Sequence, residues 1–147
     1  MSTTIGIIDY GMGNLHSVLN AMQYIGCKTF ISSDKNELIK ADGLILPGVG
    51  AFPDAMARLT ANNMDQFINC AVKSLPLMGI CLGMQLLFDK SYEFTETKGL
   101  GIISGEIIKL NPTGKKIPHI GWNELTYVNK SLLLNDINEK SQVYFVH

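Results

Sequence analysis

The fold of this chain is decided by the stretch Met78-Gly79-Ile80-Cys81-Leu82-Gly83-Met84-Gln85. The apolar residues at 76–80 predict a short buried strand, and those at 82–88 predict the start of a helix. Between them stands Cys81 with a glycine two residues to either side, which is the cysteine form of the G-x-S-x-G nucleophile elbow. Because this turn is sharp and strained, we expect a side chain at either glycine to collide with the neighbouring strand or helix.

The elbow predicts that Cys81 is a nucleophile. The turn lifts the sulfur out of the packed sheet, and the positive end of the following helix favours the thiolate form. The backbone N–H of Leu82, the next residue, is then expected to face a developing oxyanion. The alternative interpretation makes Cys81 a small buried residue between two packing glycines, because free cysteine is among the most buried residue types.

The composition is that of an ordinary globular domain. The 147 residues are 46 % hydrophobic and 17 % charged, with a net charge of -1, which fits a single domain over residues 1–147. The lack of a basic excess argues against a nucleic-acid partner, and no apolar run is long enough to cross a membrane. Three cysteines occur at wide, irregular spacing: Cys27, Cys70 and Cys81. Their spacing fits neither a disulfide framework nor a metal site and indicates a reducing, cytoplasmic location.

Strands and helices alternate along the first half of the chain. We predict strands at 5–8, 28–31, 43–46 and 76–80, with helices at 15–25, 34–41, 54–59 and 64–72. This rhythm implies an α/β fold with a mostly parallel sheet, and it brings the loops containing Asp9, Gly48 and Cys81 to the carboxyl ends of the strands. In the second half we predict hairpin or meander strands at 101–103 and 106–110, strands at 122–128 and 142–147, and a short helix at 132–137.

A glycine-rich loop follows the third strand. The loop Pro47-Gly48-Val49-Gly50 has little side-chain bulk, so its peptide N–H groups are expected to point at a carbonyl oxygen bound over Cys81. A sequence of this kind is by itself more often a simple turn. Its position beside a nucleophile elbow favours the oxyanion-binding interpretation.

Six segments in order along the chain carry a family resemblance: Asp9-Tyr10-Gly11-Met12-Gly13-Asn14-Leu15, Leu46-Pro47-Gly48-Val49-Gly50-Ala51-Phe52, Gly79-Ile80-Cys81-Leu82-Gly83-Met84-Gln85-Leu86-Leu87, Lys98-Gly99-Leu100-Gly101, Pro118-His119-Ile120-Gly121-Trp122-Asn123 and Tyr144-Phe145-Val146-His147. Through them the chain resembles the class I (triad) glutamine amidotransferases, and within them the glutaminase subunits of imidazole glycerol phosphate synthases. The resemblance implies a three-layer α/β fold with a mostly parallel central sheet and with no cofactor.

The resemblance also implies roles for individual residues. Cys81 would attack the side-chain amide of glutamine, form a glutamyl thioester and release ammonia. The oxyanion hole would be built from the N–H groups of Leu82 and of the Gly48-Val49 turn, and this turn flips in the family. Gln85 and Glu93 match positions that hold glutamine, with Glu93 suited to its α-ammonium group. The alternative for Glu93 is a solvated surface acid.

The partner implied by the resemblance is a (β/α)₈-barrel cyclase subunit, with which the chain would form a heterodimer. Four residues match the surface that faces this partner: Asn14, His119, Trp122 and Asn123. Ammonia would pass into the barrel without entering bulk water, and the barrel would make imidazole glycerol phosphate and AICAR in histidine biosynthesis.

The family's general base and its orienting acid lie in a His-Pro-Glu segment well downstream of Tyr-Phe-Val-His, and this sequence ends at His147. We therefore expect a chain that lacks the C-terminal part of the fold, without base or orienting acid, and with negligible glutaminase activity by itself. We assign no histidine as the base. His16 is expected at the surface, His119 in a hydrogen bond, and His147 in a family strand.

Three alternatives to this function stay open at the level of sequence. The first is a paralogous amidotransferase subunit for surface-sugar biosynthesis, which would use the same glutaminase chemistry with another acceptor. The second is a non-catalytic scaffold or partner of the synthase that has lost its triad. The third is an unrelated cysteine hydrolase with the same elbow, which Gln85 and the glycine loop disfavour.

Overall fold

The computed structural model describes residues 3–114, 116–129 and 131–147. It divides into two compact units, Met1–Lys109 and Leu110–His147, which are described separately. The assignment of residues 1–147 to a single domain stays a prediction. No helix within the described ranges is long and apolar enough to cross a membrane.

The centre of the first unit is a parallel four-stranded sheet. Its strands are β1 (Thr4–Ile8), β2 (Lys28–Ser32), β3 (Gly43–Leu46) and β4 (Leu77–Gly79). They lie in the order β2-β1-β3-β4, and all neighbours are parallel. The predicted mostly parallel sheet is thereby confirmed. In this order the loops that leave β1 and β3 start side by side and their chains then diverge, which is where open parallel sheets form a crevice.

Five helices connect or follow these strands: α1 (Leu15–Tyr24), α2 (Lys35–Leu38), α3 (Phe52–Ala61), α4 (Met64–Ala71) and α5 (Leu82–Gln85). Particular residues explain where several of these helices begin or end. The Asp34 side chain caps α2 by accepting a hydrogen bond from the Asn36 N–H at 2.8 Å. Pro53 stands at the second position of α3, where its missing N–H costs nothing. Gly26 supplies the positive φ, +90°, at the turn after α1.

Some predictions for the first unit are wrong in detail. The helix predicted over 82–88 ends at Gln85, and Phe88 begins a strand instead. The strand before Cys81 is not buried, because the Met78 side chain on β4 is 46 % exposed.

A smaller mixed sheet completes the first unit. Its strands are β5 (Phe88–Ser91), β6 (Thr97–Lys98) and β7 (Ile103–Ile107), in the order β6-β5-β7. The β5 and β6 strands are antiparallel, whereas β5 and β7 are parallel. The hairpin predicted over 101–110 is therefore wrong, since this segment contributes one strand whose neighbour is β5.

The core of the first unit explains the apolar runs in the sequence. Every residue of β3 is buried, and Ile7 and Ile8 at the end of β1 have no exposed surface. Such strands are apolar on both faces because a parallel sheet is covered on both sides. Phe52 and Leu59 of α3 and Ile68 of α4 are also fully buried.

The second unit is built on an antiparallel pair of strands, β8 (Ile120–Glu124) and β9 (Gln142–Val146). Trp122 stands opposite Tyr144, and their rings meet edge to face with centroids 5.5 Å apart. The predicted strand at 122–128 is thus shifted to 120–124. The helix predicted at 132–137 is a single 3-10 turn, Leu132–Leu134, which Ser131 caps.

Burial predicts that replacing isoleucine with alanine lowers the free energy of unfolding by different amounts at two positions. Ile68→Ala removes a side chain with no exposed surface and should lower the free energy of unfolding by about 2–5 kcal/mol. Ile25→Ala, at a side chain that is 66 % exposed, should lower it by less than about 1 kcal/mol. Urea denaturation of both variants checks this, and equal losses would contradict the core assignment.

Candidate active site

The turn that carries Cys81 has a strained backbone. Cys81 has φ 56° and ψ -121°, a conformation that residues with a side chain rarely adopt. It lies between Gly79, the end of β4, and Leu82, the start of α5. The Cys81 side chain is exposed, so the interpretation of this cysteine as a buried packing residue is wrong. The predicted sharp turn is confirmed.

Glycines let three backbone segments meet around this turn. A Cβ at Gly83 would lie closer than 3.0 Å to the Leu46 carbonyl, and a Cβ at Gly79 would lie closer than that to the Met84 backbone. The predicted collisions at both glycines are thereby confirmed. Gly48 shows the same constraint, because its Cβ would stand 2.5 Å from the Gly83 nitrogen. The end of β3, the loop after it and the elbow are therefore packed backbone against backbone.

The glycine loop presents unpaired N–H groups. Gly48 is buried, Val49 is half exposed and Gly50 has φ +90°. Among the described residues, the N–H groups of these three find no hydrogen-bond acceptor, and neither does the N–H of Leu82. Two sets of unpaired N–H donors thus meet at the contact between Gly48 and Gly83. One set belongs to the glycine loop, and the other is the N–H of Leu82 in the elbow. Such donors can stabilise an oxyanion.

Both ends of the glycine loop are held by side chains. The Tyr10 hydroxyl donates a hydrogen bond of 3.0 Å to the Pro47 carbonyl, and burial raises the pKa of Tyr10 to about 12. The Glu93 carboxylate accepts a hydrogen bond of 2.8 Å from the Phe52 N–H. Neither contact is predicted from the sequence. The sequence signal for the first contact is the position of Tyr10 in a loop at the carboxyl end of β1.

The two residues predicted to hold glutamine lie on different elements of the first unit. Gln85 ends α5 and is half-buried. Glu93 is exposed on the turn after β5, and its own N–H donates to the buried Ser91 hydroxyl at 3.1 Å. Unlike a fully solvated surface acid, Glu93 accepts a hydrogen bond from the N–H of Phe52, the first residue of α3. Their roles toward a substrate stay predictions.

None of the three histidines, all of which the structure describes, makes a hydrogen bond to the Cys81 sulfur. His16 is exposed on α1. In the second unit the Nδ1 of His119 stands 3.3 Å from the Nε2 of His147. Within the described ranges, no residue hydrogen-bonds the Cys81 sulfur. The roles of Cys81 as a nucleophile and of the unpaired N–H groups as oxyanion donors stay predictions, and so does the prediction that residues 1–147 contain no general base.

The predicted partner-facing residues are exposed or half-buried in their own units. Asn14 precedes α1 and its side chain makes no capping bond to this helix. Trp122 on β8 is 69 % exposed, Asn123 beside it is exposed and His119 is half-buried.

No group of three or more His, Cys, Asp or Glu in the described part of the chain is arranged to hold a metal ion.

The sequence and the fold of this chain are similar to those of glutamine amidotransferases. The family model described as glutamine amidotransferase class-I matches residues 6–147. The chain is 52 % identical to imidazole glycerol phosphate synthase subunit HisH of Geobacillus kaustophilus, over 97 % of this chain and 70 % of the relative. It is 51 % identical, with the same coverages, to the subunit of the same name from Caldanaerobacter subterraneus. A crystal structure of a glutamine amidotransferase shares the fold at a TM-score of 0.69 and 18 % identity, over 97 % of this chain and 70 % of that one.

The close packing of the elbow predicts that one added methyl group at Gly83 strongly lowers the free energy of unfolding. Gly83→Ala must push α5 away from the Leu46 carbonyl and should lower the free energy of unfolding by about 3 kcal/mol or more. Gly43→Ala is the matched control, because its nearest neighbour would be 3.4 Å away, an ordinary contact. Urea denaturation of the two variants measures the difference. A tolerated Gly83→Ala would contradict the backbone contact.

Burial of Tyr10 predicts a pH dependence of stability. Its pKa is about 12 in the folded chain, against an ordinary tyrosine value of 10.0, so between these values the unfolded chain loses the proton first. Stability from this group is therefore complete below about pH 10 and falls as the pH rises toward about 12. We expect Tyr10→Phe to flatten the fall in the free energy of unfolding over this range. Tyr24→Phe, at a side chain that is 91 % exposed, should leave it unchanged.

Proposed function

The chain belongs to the class I glutamine amidotransferases, and from this premise we propose that it is the glutaminase subunit of an imidazole glycerol phosphate synthase. The observation that carries the proposal is the Cys81 elbow packed against a loop of unpaired N–H groups. The identity of about half of the residues with HisH subunits, over nearly the whole chain, supports the choice of this subfamily.

The proposed reaction takes place at the Cys81 sulfur. The thiolate attacks the carboxamide carbon of glutamine, a C–S bond forms, and the C–N bond breaks as the nitrogen takes up a proton and leaves as ammonia. Water then cleaves the glutamyl thioester, which yields glutamate and restores the thiol. The exposure of Cys81 supports this role, since a nucleophile must be reached by its substrate.

The oxyanion of both steps is proposed to be bound by backbone N–H groups. Leu82 donates from the start of α5, and Gly48 or Val49 donates from the glycine loop. These groups have no other acceptor among the described residues, and an unpaired donor near a nucleophile stabilises charge as it develops on the substrate oxygen. Removing one such donor typically lowers the rate about 100- to 1,000-fold.

Substrate binding is proposed for Gln85 and Glu93. Glu93 uses Oε2 for the Phe52 N–H, while its Oε1 accepts no hydrogen bond from the described residues. That second oxygen is therefore available to the α-ammonium group of glutamine. A charge-assisted bond of this kind fixes the amino-acid end of the substrate while the amide end lies over Cys81.

The relatives are named as subunits of a synthase, and we propose that this chain also works in a heterodimer with a (β/α)₈-barrel cyclase. The proposed contact residues are Asn14, His119, Trp122 and Asn123. The large exposed fraction of Trp122 supports this, because tryptophan is enriched at the centres of protein interfaces. Ammonia would pass to the barrel, which makes imidazole glycerol phosphate and AICAR in histidine biosynthesis. No cofactor is required, and the three unpaired cysteines fit a cytoplasmic location.

The proposal is tested by selective labelling of Cys81. A chloromethyl ketone with the carbon skeleton of L-glutamine places a ketone where the substrate has its amide carbon. At about pH 9, where an ordinary thiol ionises without a base, we expect it to label Cys81 about 100-fold faster than Cys70. Iodoacetamide needs no oxyanion hole, so it should label these two exposed cysteines at comparable rates. Mass spectrometry of the labelled peptides gives each rate.

The control variant for this experiment is Cys81→Ala, which should leave only the slow labelling of Cys70 and Cys27. The proposal fails if the glutamine reagent labels Cys81 no faster than Cys70 in the folded wild-type chain. That result would favour the non-catalytic scaffold.

A further inference from the structure

The glycine loop is not held in place by hydrogen bonds from its own N–H groups to any residue that the structure describes. Residues 48–51 make no hydrogen bond through their N–H groups with the described residues, and the two glycines among them add rotational freedom. An oxyanion hole stabilises a transition state only if its donors are already oriented. The side chains that hold the two ends of the loop therefore matter to the chemistry.

The Tyr10 contact fixes more than the Pro47 carbonyl. The Pro47 oxygen and the Gly48 N–H belong to one peptide group, which is planar and holds them in opposite directions. The hydroxyl of Tyr10, 3.0 Å from the Pro47 oxygen, therefore also sets the direction of the Gly48 N–H. Tyr10 is itself held firmly, because it is only 3 % exposed, and Gly13 in the same loop lies close against the Pro47 ring.

The Glu93 contact acts at the other end of the loop in the same way. The Phe52 N–H shares a peptide group with the Ala51 carbonyl, so the 2.8 Å bond to Glu93 fixes that group where α3 begins. Glu93 is oriented in turn by its N–H bond to Ser91, a residue with no exposed surface. Only the three peptide groups between residues 48 and 51 are then left to reorient.

We propose that Tyr10 and Glu93 are positioning residues that clamp the two ends of the glycine loop. Tyr10 thereby orients the Gly48 N–H toward the substrate oxygen, and the two contacts together confine the reorientation of the other loop N–H groups. This rests on the proposed glutaminase function. For Glu93 it adds a second role, since Oε2 holds the loop while Oε1 is left for the substrate ammonium group.

The clamp is tested first by amide hydrogen exchange, which needs no substrate. Tyr10→Phe should raise the exchange rate of the Gly48 amide, and Glu93→Ala that of the Phe52 amide, each about 10-fold. Tyr24→Phe is the matched control, because this tyrosine is 91 % exposed and makes no hydrogen bond through its hydroxyl with the described residues. Exchange at both amides that equals the wild-type rate in the folded variants would overturn the clamp.

A second readout separates positioning from substrate binding. The glutamine chloromethyl ketone without its α-amino group cannot use the ammonium site, yet it still needs the oxyanion hole. Tyr10→Phe and Glu93→Ala should each slow its reaction with Cys81 about 10-fold relative to iodoacetamide. Glu93→Gln keeps an acceptor for the Phe52 N–H and should restore most of the rate that Glu93→Ala loses.

The outcomes keep the two proposals distinguishable. If wild-type Cys81 reacts no faster than Cys70 with the glutamine reagent, the glutaminase proposal fails, and amide exchange still decides whether the clamp exists. If wild-type Cys81 reacts selectively while the Tyr10→Phe and Glu93→Ala variants react with the deaminated reagent at the wild-type rate, the clamp is wrong and the glutaminase proposal stands.

Discussion

The site depends on the contact between the Gly83 backbone and the carbonyl of Leu46, the last residue of β3. The same carbonyl accepts the Ile80 N–H at 3.0 Å, so it fixes the elbow from both sides of Cys81. Pro47 and the glycine loop follow Leu46 directly along the chain. The Leu46 carbonyl therefore holds the Cys81 elbow close to the start of the glycine loop, and only glycine at position 83 permits this approach.

The order of the strands explains why this contact lies beside a crevice in the sheet. In the order β2-β1-β3-β4 the connections leave β1 and β3 in different directions, so the loops at the carboxyl ends of these two strands line a crevice. Tyr10 from the first loop reaches Pro47 in the second across that crevice. The strained backbone of Cys81 persists because packing around Gly79 and Gly83 determines it from outside.

Local sequence patterns were sufficient to predict most of the first unit. The apolar strand Gly43–Leu46 and the elbow with its two flanking glycines each carry their signal within a few residues. Phe88 was predicted as helix because a short apolar run does not distinguish a helix from a buried strand. The Tyr10–Pro47 and Glu93–Phe52 contacts join residues 37 and 41 positions apart, and no local periodicity reports such pairs. The packing of the Cys81 elbow beside the glycine loop was therefore predictable, whereas the side chains that hold the loop were not.

The most direct test of this account is native-state hydrogen exchange of the Ile80 amide, which donates to Leu46 beside the Gly83 contact. If the elbow is held by the end of β3, this amide should exchange only when the first unit unfolds, with an opening free energy equal to that of the Ile7 amide in the central strand β1. An Ile80 amide that opens far more easily than Ile7 would mean that the elbow moves independently of the sheet. That result would contradict the claim that one backbone contact holds Cys81 and the glycine loop together.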